Sequence, residues 1–168
     1  SWLALISTSI CFLMAYLLCN IFRKFKVSSK IMTFIVVLPM WMNSLLRTMA
    51  WLVILERGGV LNQLTDLLGI GFPEIINTNI AVIIGMVYDF LPFMILPIYN
   101  AMSSIDESFI EAARDLGASE RDIQRGVIFP LTLPGIISGA TMVFVPSLTS
   151  FVIPNILGGG KVNLIGNI

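Results

Sequence analysis

Two ionisable side chains, Arg47 and Asp89, lie deep inside apolar runs, and a charge at bilayer depth is costly enough to be a functional candidate by default. Arg47 is eight residues from Leu55 and Asp89 ten from Asn79. At about 1.5 Å per residue they sit about 12 Å and about 15 Å from the ends of those runs, so they can meet. Three readings stay open: a structural Arg47–Asp89 pair between adjacent antiparallel spans, an Asp89 that faces a substrate, or snorkelling into a water-filled cavity. Asn43 and Tyr88 lie within one turn of these charges and are candidate pathway-lining groups, although Asn43 also suits a hydrogen bond between helices.

Other chemistry finds little support. The chain has no His, which removes the commonest general base and metal ligand. An intramembrane protease needs a Ser with a His, aspartates in different spans, or His and carboxylate metal ligands. Only one aspartate lies within an apolar span here. Gly158-Gly159-Gly160-Lys161 invites comparison with a phosphate-binding loop, but the required first glycine falls on Asn155 and the hydroxyl position on Val162. A flexible loop is expected instead, so any ATP must be held by a partner. Cys11 and Cys19 are eight residues apart in one apolar run, about 12 Å along a helix, and read as small apolar residues that cannot bridge each other.

The elements that must position these groups are membrane spans. Of 168 residues 57% are hydrophobic and 12% charged, with zero net formal charge, which places the chain in a lipid bilayer and gives no sign of nucleic-acid binding. Four segments reach about 20 mostly apolar residues: Trp2 to Phe22, Ile31 to Leu55, Asn79 to Ile98 and Leu131 to Ile153. Val60 to Phe72 reads as a short amphipathic helix on the far side. Pro92, Pro97 and Pro146 fall inside spans, where a bundle tolerates them. The first and third connections hold Arg23, Lys24, Lys26, Lys30, Arg114, Arg121 and Arg125, against Arg57 and Lys161 on the other side. That bias places residues 103–130 in the cytoplasm. An all-α polytopic helical bundle is the expected fold.

Residues 103–130 are the polar exception, holding six of the ten carboxylates. Ser104 with Glu107 forms a capping-box pattern that predicts a helix start, and Ile105, Phe109, Ala112 and Leu116 are spaced as one apolar stripe. Gly117 predicts a stop, and Ser119 with Asp122 a second N-cap. Helix, glycine hinge, helix is expected, with an apolar stripe that the bilayer need not cover.

Glu111-Ala112-Ala113, then Gly117, then Val127-Ile128-Phe129-Pro130 resemble the EAA loop of ABC-importer inner-membrane permeases. The resemblance implies that 103–130 is a coupling loop docking on a cytoplasmic ABC ATPase through Phe109, Glu111, Ala112, Ala113, Leu116 and Gly117. Further motifs are similar to the spermidine/putrescine permeases of that family: Leu46-Arg47-Thr48-Met49-Ala50-Trp51, Gly59-x-Leu61-Asn62-x-Leu64, Tyr88-x-Phe90-Leu91-Pro92-Phe93, Asp115-Leu116-Gly117-Ala118-Ser119, and Phe151-Val152-Ile153-Pro154 with Leu157-Gly158-Gly159. Met49 stands where that subfamily is expected to carry an aromatic.

The same resemblance implies a non-catalytic permease subunit, multi-pass in the cytoplasmic (inner) membrane, importing polyamines. Its implied partners are the ATPase, which holds ATP and Mg, a second permease subunit and an extracytoplasmic substrate-binding protein. Residues 1–168 are then a permease domain expected to be incomplete at both ends, with 162–168 reading as the first turns of another span. The alternatives are an ABC permease for another small organic or metal ion, a secondary carrier using Asp89 as an ion site, or a membrane scaffold.

Overall fold

The computed structural model describes residues 2–25, 29–56, 58–67 and 75–159. The expectations for Lys26, Arg57, Val60–Phe72 beyond Leu67, Gly160-Lys161 and 162–168 fall wholly or partly outside them. Among the described residues the elements are α1 (Trp2–Lys24), α2 (Ser29–Val37) continuing as a 3-10 turn (Leu38–Trp41), α3 (Ser44–Leu55), α4 (Val60–Leu67), α5 (Asn79–Ser103), α6 (Glu107–Asp115), α7 (Glu120–Ile123), a π-helical turn (Gln124–Ile128), α8 (Phe129–Thr149) and α9 (Val152–Leu157). The fold is all-helical there. Three helices, α1, α5 and the continuous run Glu120–Thr149, are long and apolar enough to cross a membrane, and the bent pair α2/α3 is a fourth candidate.

Helix α5 is the centre of the bundle, packed on α1 and α8. Its partners approach through small residues. On α1 the buried stripe is Ala4, Ser7, Cys11, Ala15 and Cys19, while Leu5, Leu13 and Leu17 point outward. Lipid tails are as apolar as leucine, so helices associate in a bilayer by close backbone approach, which small residues permit. Cys11 Sγ lies 3.6 Å from the Val87 carbonyl and Cys19 Sγ 3.7 Å from that of Ile95. On α8, a Cβ at Gly135 would lie 2.5 Å from the Pro97 carbonyl oxygen, and one at Gly139 2.8 Å from Met94 Sδ. Backbone leaves no room for a Cβ at Gly135, whereas at Gly139 the Met94 side chain would have to move.

These contacts fix the directions. Residues 7, 11 and 19 meet 86, 87 and 95 in rising order, so α1 and α5 run parallel. Gly135 and Gly139 meet Pro97 and Met94 in falling order, so α8 is antiparallel to α5. A chain that traverses twice in the same direction must return between, so the α2/α3 segment carries it back. This puts Arg23, Lys24 and residues 103–125 on one side of the membrane, hereafter the basic side.

The return is not the single straight span expected for Ile31–Leu55. The axis turns by 87° between Lys30–Trp41 and Ser44–Gln63. Pro39 enters the 3-10 turn, Met42 is extended, and Asn43 N-caps α3 by accepting a hydrogen bond from the Leu45 N–H at 2.9 Å. A side-chain cap opens a new helix rather than continuing an old one. The last span also differs from expectation. It begins in the loop at Glu120 and ends at Thr149 rather than running from Leu131 to Ile153, and Pro154 lies inside the separate helix α9. The π turn has a local cause. Pro130 has no N–H to donate to Gly126 and its ring would crowd that carbonyl, so the preceding turn widens and the Phe129 N–H reaches back to the Gln124 carbonyl.

Candidate functional site

The predicted coupling loop is built as a stop and a restart. Helix α6 starts later than the Ser104 capping box predicted. Helix α5 runs on to Ser103, Ser104 becomes its C-cap, and the Ser104 hydroxyl bonds back to the Ala101 carbonyl. Asp106 takes over as N-cap, accepting from the Ser108 N–H at 2.9 Å. At the other end the Gly117 N–H donates to the Arg114 carbonyl at 2.8 Å and the Ala118 N–H to the Ala113 carbonyl at 3.0 Å. With Gly117 at φ +81° this is a Schellman motif, which needs a left-handed residue at that position. Ser119 is the predicted second N-cap, and with Asp122 it closes a capping box, Ser119 Oγ donating to Asp122 Oδ2 at 2.5 Å.

Each helix start contains a carboxylate held by donors, Asp106 as N-cap and Asp122 at the third position after Ser119. Hydrogen bonds from Ser108, its backbone foremost, hold Asp106 below its ordinary carboxylate value. Those from Ser119, side chain first, do the same for Asp122, aided by the nearby Arg125. Arg114 and Glu120 bridge the hinge at 2.7 Å.

The loop is anchored by one set of residues and displays another. Ile110, 5% exposed, and Ile123 are buried, and Ile105, Ala113 and Ala118 pack against the core. Phe109 at 57% and Leu116 at 88% are exposed, as are Glu111, Ala112 and Gly117. The expected stripe is therefore split. Ile105 and Ala113 belong to the anchoring face, and Phe109, Ala112 and Leu116 form the outward ridge.

The second set is brought together as the depths required. Arg47 Nη2 lies 2.8 Å from Asp89 Oδ1, with side chains 10% and 14% exposed. Arg47 Nη1 donates to the Pro39 carbonyl at 3.1 Å. No N–H is aimed along a hydrogen-bond line at Asp89 Oδ1 among the described residues, and Arg47 Nε is also without a partner there, so the contact is chiefly coulombic. One guanidinium thus spans three pieces: the 3-10 turn, α3 and α5. Tyr88 stacks edge-on with Trp51, ring centroids 5.3 Å apart. Asn43 is exposed, and its side-chain oxygen caps α3.

Sequence reasoning missed a third cluster. Gln124 Nε2 donates to Tyr16 Oη at 2.8 Å and to Asn20 Oδ1 at 2.7 Å, tying the π turn to α1. The ring of Tyr16 also meets Phe129 edge-on at 5.8 Å. The available signal was Tyr16 and Asn20 one turn apart near the basic end of a span.

A bundle with this loop at its basic side defines a class of membrane transport component. Residues 7–167 match the family described as binding-protein-dependent transport system inner membrane component, and the chain belongs to that family. Among curated relatives it is 45% identical to the spermidine/putrescine transport system permease protein PotB of Haemophilus influenzae, over 97% of this chain and 58% of the relative. It is 39% identical to PotB of Escherichia coli K12, over 99% of this chain and 62% of the relative. The inner membrane ABC transporter permease protein YdcU of the same organism is 31% identical, over 73% of this chain and 44% of the relative. The chain thus spans about three-fifths of the length of the PotB proteins.

Proposed function

We propose that the protein is the membrane-spanning subunit of an ATP-driven, binding-protein-dependent importer that carries polyamines, spermidine or putrescine, across the cytoplasmic (inner) membrane. The observation that carries this reading is the exposed ridge Phe109, Ala112 and Leu116, presented beyond the bundle on the basic side of an integral membrane protein. Apolar side chains in that place have neither lipid nor core to cover them, and a partner's groove supplies the cover. The partner is a cytoplasmic ABC ATPase, which holds ATP and Mg2+ and performs the hydrolysis. This chain contributes the pathway and the docking loop and is not itself an enzyme. A second permease subunit completes the pathway, and an extracytoplasmic binding protein delivers cargo.

The cargo reading is supported by the two PotB relatives, whose likeness runs through nearly the whole chain. Within that reading Arg47 and Asp89 brace the bent return segment rather than touch cargo, and Tyr88 is positioned by Trp51. Purification of the full-length permease complex, reconstitution with its binding protein, and import of radiolabelled spermidine and putrescine form the test. Co-purification of an ATPase and ATP-dependent accumulation of a polyamine are expected. A stable assembly that contains no ATPase, or one that imports neither polyamine, would sink the proposal.

A further inference from the structure

We infer that Gln124 is a positioning residue for coupling: its side-chain bonds to Tyr16 and Asn20 make α1, as well as α8, follow any displacement of the 107–123 loop. The inference rests on the reading of that loop as the element that docks on the ATPase. The loop leads directly into α7 and then, without a break, into the last long helix. Through the chain alone, force on the ridge would reach α5, which ends at Ser103, and α8. Instead the first residue of the π turn carries two side-chain hydrogen bonds, at 2.8 Å and 2.7 Å, to a helix more than a hundred residues away in sequence.

The geometry suits a joint that holds while it turns. Asn20 is itself fixed, its Nδ2 donating to the Tyr16 carbonyl at 3.0 Å, so its Oδ1 is aimed rather than free. Tyr16 is held by ring contacts to Phe12 and Phe129. On the other partner, the π turn departs from the α-helical hydrogen-bond ladder and is followed by Pro130, so Gln124 sits at a natural break in a long helix. Gly126 within that turn has open space where a side chain would lie. A rigid polar anchor on α1 facing a widened turn lets α7 and α8 change their relative rotation while Gln124 stays fastened. Ile123 and Ile128, both buried, keep the turn seated against the bundle.

The test uses the full-length permease with its ATPase and binding protein in proteoliposomes, and reads radiolabelled spermidine imported per ATP hydrolysed. Gln124→Leu keeps the bulk and removes both bonds. The ratio is expected to fall by about tenfold, within the usual range of coupling between sites. Gln124→Glu is expected to recover part of it, because Tyr16 Oη can donate to a carboxylate while the fixed Asn20 Oδ1 cannot. A purely structural role predicts lost assembly with an unchanged ratio in whatever complex survives, and that result overturns the inference. If Gln124→Leu does not accumulate, Tyr16→Phe decides, since it deletes one hydroxyl and leaves the ring on Phe129; a wild-type ratio there overturns the inference too. Gly117→Val is run beside them. A wild-type ratio in Gln124→Leu with a lowered one in Gly117→Val removes the clamp alone, whereas wild-type ratios in both remove the loop assignment and the clamp together.

Discussion

Replacing Asp89 by Asn leaves the shape of the site and deletes one charge, stranding the Arg47 guanidinium with a single hydrogen bond, to the Pro39 carbonyl. Both side chains are at most 14% exposed, so solvent screening relieves little of the loss. Breaking one half of a buried pair costs about 3–5 kcal/mol. At tenfold per about 1.4 kcal/mol, that shifts the folded population by roughly a hundredfold to a few thousandfold. A marginally stable membrane protein should then fail to accumulate, and the surviving fraction should melt at lower temperature. Removing both charges with Arg47→Met and Asp89→Leu should cost far less, because paired apolar replacements of buried ion pairs are often neutral or stabilising. Exchanging the two charges should restore only part of the loss, since an Arg on α5 starts from a different backbone and gives up the bond to Pro39. Membrane abundance and the unfolding midpoint of the purified complex measure all three variants. Asp89→Asn with wild-type abundance, intact ATPase association and selectively reduced polyamine uptake would refute the brace and put Asp89 in the path of the cargo.

Gly117→Val places a β-branched residue at φ +81°, where an L-residue costs about 1–2 kcal/mol. Since no atom would touch its Cβ, the damage should come from backbone angle alone: Val should insert normally yet lose uptake, and Asn, which tolerates that angle, should retain more. Equal uptake in both would contradict this. Glu111→Ala should weaken capture of the ATPase in a pull-down, by about 2–5 kcal/mol if the carboxylate is buried in the docked pair; a complex that survives high salt and couples normally would leave Glu111 a solubilising residue. Gly135→Ala should cost about 1–3 kcal/mol by overpacking the α5–α8 crossing, visible as a lowered unfolding midpoint, and an unchanged midpoint would show that the crossing yields to a methyl group. The N-cap Asp106 and the capping-box Asp122 have depressed carboxyls, so their contribution is complete above the unfolded value of about 3.9 and fades only as pH falls through the lower folded values. Amide protection at Ser108 and Asp122, corrected for intrinsic exchange, should stay level from about pH 8 to about pH 5; loss near pH 5 would contradict the hydrogen bonding.

The loop was legible where a residue type answers to one backbone event. Gly117 and the Ser119–Asp122 box each sit where a particular angle or donor is required, and both expectations held. Ser104 misled because its pattern is local while the preceding helix is not: α5 kept its own carbonyl ladder to Ser103, and the Asp106 carboxylate outcompeted the hydroxyl. The bend at Met42-Asn43 was written in the sequence as Pro39 and a good N-cap residue, but uniform apolarity makes a long run look straight. Arg47 and Asp89 could be matched by depth, since both helices count the same rise from the same face of the bilayer. The bond from Arg47 to Pro39 could not, because it depends on the bend. Gln124 gave no sign, as a single amide near a loop looks like any solvated polar residue until its partner a hundred positions earlier is in place.

The uninterrupted run from Glu120 to Thr149 is 30 residues, about 45 Å of helix against about 30 Å of hydrocarbon. About a third of it therefore either stands clear of the bilayer or tilts within it. A rod of that kind is a lever arm. A tilt of about 10° about its far end would sweep the Glu120 end through about 8 Å, taking the length from the helical rise. A rotation too small to open much of a gap among the packed helices could thus match a large excursion of a subunit outside the membrane.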